Sequence, residues 1–192
     1  MRLELRHDPG AVEQIAELRE RDGYVSDISL ALRYRPELFG RPFGELLQQV
    51  MKGPSEWTEA ERELFAAFVS VRNQCPFRTE AHGAVASYAF ADEQLVDAVL
   101  DDYESAPIDE RLRETLRFLE TMTLRPDELD ASRALAAGVS REALRDAAYV
   151  AAAFNVITRF ADALGAKPHS ESGLTREQAI AHEGRFFELG YA

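Results

Sequence analysis

The chain has 192 residues, of which 46% are hydrophobic and 29% charged, a balance that supports a real core under a well-solvated surface. Its formal net charge of −12 repels phosphate backbones and anionic lipid, so neither nucleic acid nor a membrane surface is an expected partner. One cysteine, Cys75, excludes an intrachain disulfide and suits a reducing cytoplasm.

No signal peptide is expected, because the segment 1–10 has no apolar core. Apolar residues recur at helical spacing along almost the whole chain, and alanine, leucine, glutamate and arginine dominate. The expectation is an all-α bundle of nine or ten helices in a single domain spanning 1–192. A first amphipathic helix covers 11–20, and a pair covers 25–34 and 36–51, with Gly40, Pro42 and Gly44 marking a turn in the first half of the latter. Thr58-Glu-Ala-Glu61 reads as a capping box and opens a largely buried helix through residue 73. Asn73-Gln-Cys-Pro76 interrupts the pattern, and Pro76 suits the first position of a new helix that continues through Ala91.

Helices over 92–104, 109–124 and 126–137 follow. The longest runs over 140–164, stopped by Gly165, and a last helix covers 175–189. The two most apolar helices, 59–73 and 140–164, are expected at the centre. The longest apolar run, 147–157, contains Asn155 and is too short to span a bilayer. Leu30, Leu32, Leu38, Phe39, Phe43, Leu46 and Leu47 offer more apolar surface than one subunit needs.

The informative stretch is Glu63 to His82. Glu63 precedes Cys75 by eleven intervening residues, Arg78 stands three beyond Cys75, and His82 follows Arg78 after three more. On a helix beginning at Cys75, residues three, four and seven apart share a face, so Cys75, Arg78 and His82 form one stripe. Arg78 and His82 can touch, whereas Cys75 and His82 lie about 10 Å apart along the axis.

With these spacings the chain resembles the AhpD-like, carboxymuconolactone-decarboxylase family. That family carries glutamate, eleven residues, Cys-x-x-Cys, three residues and histidine. Here Arg78 replaces the second cysteine. Ser70, Asn73 and the block Phe154-Asn-Val-Ile-Thr-Arg-Phe-Ala-Asp-Ala-Leu-Gly165 resemble its peroxidase-related branch, and the resemblance covers about residues 25–165. It implies an AhpD-like helical bundle and a homo-oligomer. It also implies antioxidant hydroperoxide reduction, in which the second cysteine attacks peroxide, the first resolves the disulfide, and histidine with glutamate relays the proton. Members without the dithiol decarboxylate a small lactone. Carried over, Cys75, His82 and Glu63 are the catalytic candidates and Arg78 a substrate-binding candidate.

With one cysteine, dithiol chemistry within a chain is impossible. A single-cysteine hydroperoxide reductase recycled by an external thiol stays open: Cys75 at a helix N-terminus, one turn from Arg78, has two influences that favour a thiolate. Against this stands a Cys75 that is simply a small buried hydrophobe. The second open function is an acid–base lyase or decarboxylase, with His82 as acid and base and Arg78 receiving a small substrate's carboxylate. The third is a non-catalytic oligomeric scaffold. Arg78 itself has three readings: an ion pair with Glu63, an anion receptor, or a solvent-facing side chain. In a simple hairpin Glu63 lies about 7 Å out of register with His82, and only a bent junction, a crossing angle or a water joins them.

On the long helix Asn155, Arg159 and Asp162 share a face, with Arg159 and Asp162 expected as a structural pair. Tyr88 and Tyr149 are expected in the core or lining a pocket. His7, His169 and His182 are scattered, and His182-Glu183 lacks the second histidine of a zinc motif, so neither metal nor cofactor is expected.

Overall fold

A computed structural model describes residues 9–22, 25–173 and 175–180. All regular structure among them is helical. Helices α1 (Pro9–Asp22), α2 (Asp27–Tyr34), α3 (Arg41–Lys52), α4 (Glu59–Arg72), α5 (Pro76–Phe90), α6 (Glu93–Asp102), α7 (Glu110–Leu124), α8 (Ser132–Ala136) and α9 (Arg141–Leu164) follow in order. A helical turn at 176–180 is tied to α6 by Arg176 through Asp97 (2.6 Å) and Glu93. The remainder of the expected 175–189 helix, with His182, lies outside the described residues, as does His7.

The helix starts follow from local chemistry. Thr58 and Glu61 form the expected capping box on α4, and Ser26, Asp92, Asp109 and Ser140 each accept the third helical N–H of their own helix. Such caps contribute about 1 kcal/mol apiece. Gly165 ends α9 in the left-handed region at φ 69°, where a side chain would be strained.

Helix α4 is buried from Arg62 through Ser70 and packs against α5, α9, α7, α6 and α3. Helix α9 presents Leu144, Ala147, Val150, Ala151, Phe154, Ile157, Ala161 and Leu164 to the core, an i, i+3, i+4, i+7 stripe. These two helices are central, as the sequence indicated. Buried residues from Ile28 to Leu164 form one hydrophobic cluster around them.

One expected helix is divided. The segment expected as one helix over 126–137 is a 3₁₀ turn at Pro126–Glu128 followed by the short α8. Asp130 accepts from both Ser132 N (2.9 Å) and Ser132 Oγ (2.6 Å), a local bond that competes with helix. The 36–51 segment begins as a π-helical turn at Pro36–Gly40, and α3 starts only at Arg41. A Cβ on Gly40 would sit 2.3 Å from the Leu32 carbonyl oxygen, so this close approach of α2 requires glycine. Finally, Phe43 and Leu47 are buried in the chain's own core, while Leu38 and Leu46 remain exposed.

Tyr88 and Tyr149 are not core residues. Tyr88 is exposed in the last turn of α5, and Tyr149 is exposed on α9 at the rim of a cleft. Among the described residues no helix is long and apolar enough to cross a membrane.

Candidate active site

The site is built on the α4–α5 junction. Helix α4 ends at Asn73, whose N–H donates to Val69 O at 2.9 Å, and Gln74 enters the left-handed region at φ 56°. That single residue reverses the chain. Cys75 N then donates back to Ser70 O (3.0 Å), and Pro76, which has no N–H to satisfy, starts α5. The Asn73 side chain pins the turn to α9: Nδ2 donates to Asn155 Oδ1 at 2.9 Å and to Thr158 Oγ1 at 3.0 Å.

Because the turn is so tight, α4 and α5 close on one another and the register problem disappears. His82 Nδ1 and Glu63 Oε2 are 2.8 Å apart, both side chains fully enclosed. The edge of the imidazole meets the Phe154 ring at 4.5 Å and 89°. On its far side, Nε2 lies 3.3 Å from Arg78 Nη1. A guanidinium only donates, so this contact is a hydrogen bond when Nε2 carries the lone pair; Nδ1 then carries the proton and donates to Glu63. The imidazole thus stands between a carboxylate and a guanidinium.

Arg78 is half-buried and turned inward, with its guanidinium carbon 5.4 Å from the Phe77 ring centroid. The solvent-facing reading of Arg78 is replaced by contact with His82.

Cys75 is the N-cap of α5 and has no exposed surface. Burial pushes its thiol up to about 12, and the Asp162 carboxylate, which accepts from the thiol, pushes the same way. The Arg78 N–H on the sulfur and the Arg78 charge pull in the opposite direction and are outweighed. Both influences anticipated from sequence are therefore present, yet the net effect reverses. The cause is enclosure, together with an acidic neighbour contributed by α9. Arg159, expected to pair with Asp162, is exposed on that helix. His169 is buried and packs on Phe77 at 5.9 Å.

Sequence reasoning missed Asp162 as the neighbour of Cys75, and Phe154 as the wall behind His82. The available signal was their spacing: Phe154, Thr158 and Asp162 follow at four-residue steps on α9, one face of that helix.

This fold recurs in solved structures. The AhpD core of an uncharacterized peroxidase-related protein from Ralstonia eutropha JMP134 superposes with a TM-score of 0.75 at 25% identity, covering 87% of this chain and 91% of that one. The fold is AhpD-like. A second uncharacterized peroxidase-related protein, from Silicibacter sp. TM1040, gives a TM-score of 0.77 at 28% identity, covering 88% of this chain and 92% of that one. No family model matches the sequence, and no curated protein matches it.

Within this AhpD-like frame the chemistry divides between two groups. His82 with Glu63 is a buried dyad whose outer nitrogen faces Arg78 and is suited to proton transfer. Cys75 with Asp162 is a thiol held in its neutral form. Among the described residues no group of three or more His, Cys, Asp and Glu side chains is gathered to hold a metal.

Proposed function

We propose that this peroxidase-related, AhpD-like protein acts as an acid–base enzyme on a small carboxylate substrate. The observation that carries this reading is the chain of contacts Glu63–His82–Arg78, with 2.8 Å on one side of the imidazole and 3.3 Å on the other. A substrate carboxylate takes the Arg78 guanidinium as a bidentate partner and draws it away from Nε2. The freed Nε2 then accepts a proton from the substrate and later returns one, while Glu63 holds the ring orientation and stabilises the imidazolium. Decarboxylation of a small acid and proton shuttling beside a carboxylate both fit this set.

The second reading is a single-cysteine hydroperoxide reductase. The Arg78 N–H directed at the Cys75 sulfur and the peroxidase-related neighbours support it. In that reaction a Cys75 thiolate attacks the peroxide, the O–O bond breaks, and Cys75 sulfenic acid and an alcohol form. An external thiol then reduces the sulfenic acid through a mixed disulfide, so two thiols are consumed per turnover. A sulfur without exposed surface, held neutral beside a carboxylate, makes this the weaker reading. A homo-oligomer in the cytoplasm accords with either.

The two are separated by incubating the protein in D2O with a panel of small keto and unsaturated acids, and in parallel with hydroperoxide and a monothiol. The expected result is deuterium incorporation or CO2 release that His82→Gln abolishes and Cys75→Ser leaves in place. Peroxide consumption lost in Cys75→Ser would overturn the acid–base reading.

A further inference from the structure

The geometry points to a second binding site, separate from the His82 centre, that takes a small neutral molecule with an apolar body and an amide-like head. A cleft of about 280 Å³ lies between the end of α3, the 53–55 loop, α4 and α9. Its apolar walls are Leu46, Val50, Pro54 and Tyr149, and its polar residues are Arg62, Ser55, Asp146 and Gln49. That size is near the lower end for small-molecule pockets, and the mixture of apolar walls with a few convergent polar groups is their usual lining.

Arg62 distinguishes this cleft from a surface dent. The residue is 4% exposed, although it is an arginine. Its Nη1 donates to Gly53 O at 2.7 Å and Val50 O at 3.3 Å, closing the carbonyl end of α3. Those two bonds use one nitrogen of a fork with five N–H groups, and Nε is buried with no acceptor. A buried donor left unmade costs about 1–3 kcal/mol, and Arg62 lines the cleft, so an acceptor brought against this guanidinium would be bound with profit. Arg62 and Glu63 are consecutive on α4 and so point about 100° apart. Glu63 serves the His82 site, and Arg62 the cleft.

The charges around the cleft select the head group. Asp146 lines the same space and accepts from Ser55 Oγ at 2.9 Å, and Glu59, Glu61 and Glu63 are the other acidic residues near Arg62. An anionic head would meet Asp146, and a cationic head would meet Arg62. A neutral head that offers a carbonyl to Arg62 and an N–H or O–H to Asp146 satisfies both. Tyr149 and Leu46 then cover an aromatic or short acyl body.

Benzamide is the probe, with benzoate as the anionic control, in an amide-resolved NMR titration of the full chain. The expected result is saturable shifts centred on Gln49, Val50, Asp146 and Tyr149, with benzoate at least about tenfold weaker, or about 1.4 kcal/mol. Leu46→Trp, which fills the cleft from an exposed position, is expected to weaken benzamide at least about tenfold. Asp146→Asn is expected to narrow the gap between benzamide and benzoate. No saturable shift at these amides, binding unaffected by Leu46→Trp, or benzoate equal to benzamide in the unaltered chain would each overturn the proposal.

Discussion

The thiol of Cys75, the N-cap of α5, lies beside the carboxylate of Asp162 in the last turn of α9. Burial and this acidic partner hold the thiol up to about 12, and alkylation of the native protein near pH 8 is expected to be slow, rising sharply once the chain unfolds. Asp162→Asn is expected to lower the thiol pKa and speed native-state labelling. Alkylation rate against pH for both proteins checks this, and a native titration midpoint at or below the ordinary ~8.5 would contradict it.

The same shift has a consequence for stability. A group whose pKa is raised on folding binds its proton more tightly in the native state. The associated stability is therefore present below the unfolded value of 9.0 and is lost as pH rises towards about 12. Tyr103 is raised in the same direction, by burial first and by the Glu120 carboxylate it donates to at 2.9 Å. Unfolding free energy is expected to fall between pH 9 and 12, and the fall is expected to be shallower in Cys75→Ala. Denaturant melts at pH 8, 9.5 and 11 measure it; parallel curves for the two proteins would remove Cys75 as a cause.

Removing the imidazole from the dyad leaves a buried carboxylate. His82→Ala is expected to destabilise the fold by about 3 kcal/mol, because Glu63, at 1% exposure, loses its 2.8 Å hydrogen bond to His82. Glu63→Gln keeps a hydrogen-bonding group of the same shape and is expected to cost less than about 1.5 kcal/mol while still impairing proton transfer. Urea titrations of the two variants decide the order. Equal losses would show that the charge at residue 63 carries nothing specific.

Arg78→Cys restores a second thiol one helical turn from Cys75, four residues before His82. A disulfide with Cys75 is expected under mild oxidation, accompanied by peroxide consumption with a dithiol donor that the unaltered chain lacks. Thiol counting and a peroxide assay test both parts. A variant that forms the disulfide and stays inert would show that the pocket has diverged beyond this residue.

The exposed Leu38, with Val156 on the outer face of α9, leaves apolar surface that association would bury. A homo-oligomer is expected, and light scattering over a wide concentration range reads it directly. A mass that stays at 21.5 kDa throughout would end that expectation.

Helix positions, caps and central elements were legible in the sequence because they are set by neighbours within a few residues. Thr58 with Glu61, Pro76 at the start of α5 and Gly165 at the end of α9 are all local choices. The stripe of Cys75, Arg78 and His82 follows likewise from helical period alone, and the Arg78–His82 contact was foreseen on that basis. What the tertiary structure decided is what each of these groups faces from elsewhere in the chain. One left-handed residue, Gln74, sets how α4 and α5 close, and that brings Glu63 to 2.8 Å of His82 where helical rise alone left them out of register. Packing of α9 across the junction encloses Cys75 beside Asp162 and reverses the influence that its own helix exerts on the thiol. Desolvation and charge act through space, and no local pattern records which distant segment will supply them.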